Sequence, residues 1–255
     1  MILDQATRLL IAGLLLASGH AALAAPGCSA QSGTQRAVLL ELYTSEGCSS
    51  CPPADRRMSQ IKNQTELSGR VVPLAFHVDY WDRLGWVDRF ASPQYTQRQY
   101  AMASLANSRL VYTPQFLKNG RDWRSGGSPL DGAGKAALSV TIALTLSPAA
   151  ANSLTVDGTV EVAATAADTY LAVYENNLES RVKNGENAGE TLRHDYVVRH
   201  LIGPLTPDAA GRVILHHQIK LDAGWKRADL GVVAFVQNRA NGEILQALQR
   251  PLCAS

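Results

Sequence analysis

Apolar positions in the first part of the chain come in two runs, Ala37 to Thr44, interrupted by Glu41, and Val71 to Val78, interrupted by His77. The first predicts a strand, and the second is too hydrophobic for one-sided alternation and predicts a strand buried on both faces. Between them, Cys51 to Leu67 predicts a helix with Met58, Ile61 and Leu67 on its inward stripe and Gly69 ending it. Strand, helix, strand at this spacing predicts a right-handed βαβ unit with a parallel pair. Ser92-Pro93 opens a second helix that reaches about Asn107, with Tyr95, Met102 and Leu105 inward. Val111 to Arg121 then predicts a strand entered through Pro114, followed by a hairpin turn at Asn119-Gly120.

From Ala137 the pattern changes to β-branched alternation. Val140–Leu146, Leu154–Ala163, Thr169–Tyr174, His194–Ile202, Arg212–Lys220 and Leu230–Gln237 are predicted strands, with Ile244–Gln249 weaker. Asp157-Gly158, Asn184-Gly185 and Asn241-Gly242 are predicted turns between them. This spacing suggests an antiparallel sandwich. The expected organisation is an α/β domain over residues 36–138 and a β-rich, sandwich-like domain over 139–255. Asn184 to Arg193 is the one long polar loop of the second part, read as a solvated hairpin tip or as a cover for the chemistry of the first.

Composition narrows the compartment. Residues 1–24 read as a signal peptide: Arg8 precedes an apolar core at Ile11 to Ala17, and Ala22-Leu23-Ala24 supplies a cleavage site. The expectation is an exported protein, periplasmic or secreted, with no stable membrane insertion after cleavage. The 255 residues carry a formal charge of +2 and no basic stripe, so nucleic acid is not an expected partner. All four cysteines, Cys28, Cys48, Cys51 and Cys253, follow the cleavage site, where disulfides are permitted. Four cysteines allow three pairings. The spacing of Cys48 and Cys51 fixes one pair and leaves Cys28–Cys253 as a structural bridge between the ends of the mature chain.

Cys48-Ser49-Ser50-Cys51 carries the candidate chemistry. A strand running into a Gly turn delivers it to a helix start, where the macrodipole and unpaired first-turn amides favour a thiolate. Ser49 or Ser50 is the expected cap, and Pro52 and Pro53 suit the first turn. The second predicted strand ends near the same sheet edge with His77, Tyr80 and Trp81, candidates for a substrate surface. No second Cys or Cys/His pair at ligand spacing follows, so a zinc site on these cysteines is not expected. Two other readings stay open: Cu(I) or other thiophilic metal handling by the two thiolates, and a sandwich binding module with a non-catalytic dithiol. No cofactor is expected.

Cys-x-x-Cys at a helix start, followed by βα and then Thr113-Pro114 before a hairpin, resembles the thioredoxin fold. The resemblance implies a thioredoxin-like first domain in which Pro114 is cis and lies beside the dithiol, with Thr113 docking substrate. Glu41 is the acid placed to take the proton of Cys51 on the same analogy. The run Glu41 to Asp55, with Tyr112-Thr113-Pro114-Gln115 and Gly185-Glu186-Asn187-Ala188-Gly189, is similar to an exported thioredoxin-like family, domain of unknown function 1223. It implies a thiol–disulfide oxidoreductase acting on protein or small thiol/disulfide substrates with a separate redox partner. Cys48 is then the nucleophile and Cys51 the resolving thiol.

Overall fold

A computed structural model describes residues 28–124, 127–131, 140–149, 152–163 and 166–253. The predicted signal peptide lies outside the described residues. In chain order the elements are β1 (Cys28–Gln31), β2 (Val38–Thr44), α1 (Pro52–Gln60), β3 (Val71–His77), α2 (Pro93–Leu105), β4 (Gln115–Lys118) and β5 (Arg121–Asp122). Then follow β6 (Val140–Pro148), β7 (Ser153–Val162), β8 (Ala167–Glu175), β9 (Leu178–Arg181), β10 (Thr191–His194), β11 (Val197–Leu205), β12 (Arg212–Lys220), β13 (Leu230–Asn238) and β14 (Ile244–Pro251).

The expected α/β thioredoxin-like domain followed by a sandwich-like domain is not what forms. The protein is mostly β: among the described residues fourteen strands accompany two α-helices. One eight-stranded sheet, in the order β14-β13-β8-β11-β3-β2-β4-β5, takes strands from both parts of the chain. The joint lies at β3. Its free edge takes β11 in parallel, with Val197 opposite Ala75 and the Ala75 amide donating to the Tyr196 carbonyl at 2.8 Å. An apolar strand left at an edge would expose unpaired amides and carbonyls, and β11 removes that edge. β1-β6-β7-β12 form a second, antiparallel sheet, and β9 with β10 make a separate hairpin.

The strand–helix–strand unit exists, with β2 and β3 parallel in the register Leu42↔Ala75. Its helix is short, however: α1 ends at Gln60, and Ile61–Asn63 and Thr65–Leu67 continue as 3₁₀ turns. Neither Ser49 nor Ser50 caps it. Cys51 occupies the cap position and makes no side-chain capping bond, while Pro52 and Pro53 fill the first turn. Asp157-Gly158 lies inside β7 rather than at a turn, because Gly158 lets the Ala143 carbonyl of β6 approach to where a Cβ would sit. Ahead of β2, β1 pairs with β6.

Among the described residues two large apolar cores form beside a small cluster of Phe90, Leu178 and Val197. Leu39, Leu40, Leu42, Tyr43, Phe76, Tyr174 and Phe235 belong to the larger, which follows the eight-stranded sheet. Ile142, Val156, Leu215, Leu171 and Val232 belong to the second, where the four-stranded sheet faces β8 and β13. The Cys28–Cys253 bridge spans a separation of 225 residues and ties β1 to the segment leaving β14.

Candidate functional site

Cys48 and Cys51 form a disulfide at the N-terminus of α1. The turn entering the motif is tight, and Gly47 fits it without crowding. A Cβ on it would lie 3.1 Å from the Cβ of Trp81. Trp81 in turn donates its indole N–H to the Thr113 hydroxyl at 2.8 Å, so one ring bridges the motif's turn and Thr113-Pro114. The Thr113–Pro114 peptide is cis. Tyr80 donates to Gln99 at 3.3 Å and is half-buried.

A cleft of about 510 Å³ lies beside Pro114, lined by Arg57, Leu110, Tyr112, Phe116, Trp123 and Arg124. The Arg57 guanidinium sits 4.4 Å from the Trp123 ring. A larger cavity of about 820 Å³ is lined by Gln35, Arg36, Val71 and Gln249, among others, at the opposite end of β2 and β3 from the cysteines.

Both sulfur-bearing residues are fully buried, at 0 % exposure. The loop of the β9–β10 hairpin docks on the backbone of the motif. The Asn187 carboxamide, itself buried, donates to the carbonyls of Glu46 at 2.8 Å and Cys48 at 3.1 Å. The Ser49 amide donates to the Glu186 carboxylate at 3.0 Å. Contacts from the Ser49 side chain and amide hold the Glu186 carboxyl below its usual range. Gly185, at φ +78, packs its bare Cα against Trp86, where a Cβ would meet the Trp86 Cβ at 3.2 Å. The loop is therefore docked on the motif through Asn187 and Glu186 while its other residues stay exposed, and exposure does not distinguish Cys48 from Cys51.

Next to the bridge lies a buried polar cluster that sequence reasoning did not assemble. Glu46 takes the Trp86 indole N–H at 2.8 Å, and its own amide donates to Asp88 at 2.9 Å. Asp88 also pairs with His77 Nδ1 at 2.6 Å. Asp55, on α1, accepts from the Thr44 hydroxyl at 3.1 Å. His194, the last residue of β10, stands 3.4 Å from Glu46 and 3.7 Å from Asp55.

Burial alone would lower the pKa of His194, but the Asp55 and Glu46 carboxylates override it and raise it to about 10. Burial likewise opposes ionisation of Glu46, yet His194 brings its carboxyl below the usual range. The acidity of Asp88 is set the same way: desolvation is outweighed by His77 and by the amides of Glu46 and Phe90. Glu46 and Asp55 flank the cysteines in sequence, and acids among apolar and small residues were the available signal. His194 comes from 143 positions beyond Cys51 (194 − 51), and only the hairpin delivers it.

The structure thus links Trp81 to Gly47 of the motif's turn and to Thr113. It places His77 in the buried cluster rather than on a surface. Glu41 goes elsewhere: side chains alternate along β2, so Glu41 and Tyr43 share one face while Leu42 and Thr44 share the other. Glu41 is paired at 2.7 Å with Arg98 of α2, whereas Thr44 reaches α1. Asp55 occupies the face that carries the cysteines.

Fold and site define a mostly β protein with a disulfide-forming Cys-x-x-Cys at a helix start, on which a loop docks. Residues 39–237 match the family described as "Protein of unknown function (DUF1223)", and the chain belongs to that family. Among solved structures, an X-ray structure of an Agrobacterium tumefaciens protein is similar at 26 % identity and TM-score 0.59, covering 86 % of this chain and 95 % of that one. HBP35 of Porphyromonas gingivalis is similar at 22 % identity and TM-score 0.66, covering 86 % of this chain and 76 % of that one, and shares the fold. No curated protein matches.

Proposed function

We propose that this protein is an exported thiol–disulfide oxidoreductase whose working pair is Cys48 and Cys51. The observation that carries the reading is the Cys48–Cys51 bridge at the N-terminus of α1. A three-residue separation closes too small a loop to stabilise much, so stability is a poor reason for this bridge. The helix terminus favours a thiolate once the bridge opens. Export is supported by the second bridge, Cys28–Cys253, since paired structural cysteines belong to oxidising compartments.

In the reductive direction the Cys48 thiolate attacks a substrate disulfide. A Cys48–substrate mixed disulfide forms and one substrate thiolate leaves. The Cys51 thiolate then attacks the Cys48 sulfur, releases the second substrate thiolate and regenerates the Cys48–Cys51 bridge. Two electrons pass from the dithiol to the substrate, and the reverse sequence oxidises a substrate dithiol. Substrate enters beside Thr113 and Pro114, along the cleft that Tyr112, Phe116, Trp123 and the two arginines line. Binding requires the Gly185–Gly189 loop to lift, because it docks on the backbone of the motif in the closed state. Cys51→Ser should accumulate a mixed disulfide on Cys48 during turnover with a peptide disulfide, and Cys48→Ser should abolish exchange. Undiminished exchange by a folded Cys48→Ser variant would overturn the reading.

A further inference from the structure

Independently of the redox reading, we propose that Asp55, His77 and His194 bind one divalent transition-metal ion, such as zinc, in the buried space between α1, β3 and β10. One potential ligand atom from each residue lies within 4.8 Å of the other two, and all three residues are buried. The three come from separate elements, so the fold and not local sequence brings them together.

The hydrogen bonding around the cluster points the same way. His77 Nδ1 is held by the Asp88 carboxylate at 2.6 Å, which puts the ring proton on that side and the lone pair on Nε2. Nε2 is buried and has no hydrogen-bond partner among the described residues. A carboxylate behind one ring nitrogen and an unused lone pair on the other is the arrangement that orients metal-ligating histidines. Both nitrogens of His194 also lack a hydrogen bond; their nearest acids are Glu46 at 3.4 Å and Asp55 at 3.7 Å. Buried polar atoms are normally satisfied, and the unpartnered His77 Nε2, with the two loosely paired His194 nitrogens beside it, calls for a ligand.

Charge agrees. Glu46, Asp55 and Asp88 are buried carboxylates gathered around two imidazoles, a cluster that a cation would neutralise. Two imidazoles and a carboxylate suit zinc and its neighbours rather than Cu(I) or the hard ions magnesium and calcium. They also leave a fourth position open, as in catalytic zinc sites. Zinc–nitrogen bonds of about 2.0–2.1 Å put tetrahedral ligands roughly 3.4 Å apart, so the side chains draw together by up to about 1.4 Å on binding. Glu46 Oε1, buried and without a hydrogen bond, remains behind His194 Nε2 as its orienting acid.

The test uses the full exported chain, stripped with chelator and fully oxidised, so that no thiolate can compete. Titration with Zn²⁺ against a chromophoric chelator should give one ion per chain, with Co²⁺ showing d–d bands and no thiolate charge-transfer band. His77→Ala and His194→Ala should lose stoichiometric binding, and Asp88→Asn should weaken it about 10–100-fold. The Cys48→Ser/Cys51→Ser double variant should bind as the parent does. Where a histidine variant fails to fold, ring NMR signals of His77 and His194 in the unsubstituted protein decide, and they should shift with one equivalent of Zn²⁺. Absence of binding by the oxidised chain, a thiolate band, unshifted ring signals, or full binding by a folded His194→Ala variant would each overturn the proposal.

Discussion

Asn187→Ala is the most informative single change, because it loosens the docked loop without touching either sulfur. The Asn187 carboxamide makes two bonds to carbonyls on either side of Gly47, at 2.8 and 3.1 Å, and the side chain is buried. Each such bond contributes about 0.5–1.5 kcal/mol net, and a carbonyl left buried without a donor costs about 1–3 kcal/mol. Opening exposes those carbonyls to water, so the substitution penalises only the closed state, by about 2–3 kcal/mol in total. If reduction proceeds through the open state, each 1.36 kcal/mol is a factor of ten. Reduction of Cys48–Cys51 by a water-soluble phosphine should then accelerate roughly 30–150-fold, and global unfolding stability should fall by up to the same amount, about 2–3 kcal/mol. Peptide-resolved alkylation after timed quenching separates this bridge from Cys28–Cys253. A folded Asn187→Ala protein reduced at the parental rate would refute the claim that the loop gates the sulfurs.

Other outcomes follow from the same geometry. Cys28→Ser releases a bridge closing a 225-residue separation, for which chain entropy sets a ceiling of about 5 kcal/mol. Thermal and urea unfolding should show a loss of about 2–4 kcal/mol with exchange at Cys48 unchanged, and an unaltered midpoint would contradict the structural role. Arg98→Met strands the fully buried Glu41 carboxylate and should cost about 3–5 kcal/mol in urea unfolding, most of it recovered in Glu41→Leu/Arg98→Met. Equal destabilisation by the double variant would argue that the pair is not the cause. His200, an exposed residue of β11, has its pKa lowered by partial desolvation first and by His217 second. Its stability contribution is therefore full above the ordinary histidine value and is lost as pH falls from about 6.5 through the depressed folded value. His200→Gln should flatten the stability–pH slope between about pH 5 and 7, and an unchanged slope would count against it.

What the sequence displayed of all this depended on range. β2, β3, α2 and the β4–β5 hairpin were legible because apolar runs, Ser92-Pro93 and Asn119-Gly120 act locally. The global sheet was not, since nothing in Val71–His77 says that its open edge will be taken by β11, over a hundred residues later. Reading that unit as a complete thioredoxin-like domain closed the sheet too early. β1, β9 and β10 are four residues each, too short for a period to register. The cysteine pair was visible from spacing, whereas His194 and Asp88 join it only through tertiary contacts. Glu41 illustrates the converse: it was the acid nearest by analogy, but strand alternation sends it to Arg98 on the other face.

The most direct test of the account is the redox equilibrium of Cys48–Cys51 in the folded protein. Equilibration in graded glutathione and dithiothreitol buffers, with alkylated peptides quantified separately for each bridge, reads it. The account predicts a reversible two-electron reduction of Cys48–Cys51 at a potential above about −300 mV, with Cys28–Cys253 still oxidised in the same samples. A Cys48–Cys51 bridge that opens only below that potential, together with Cys28–Cys253 or with unfolding, would mark it as structural and contradict the proposed function.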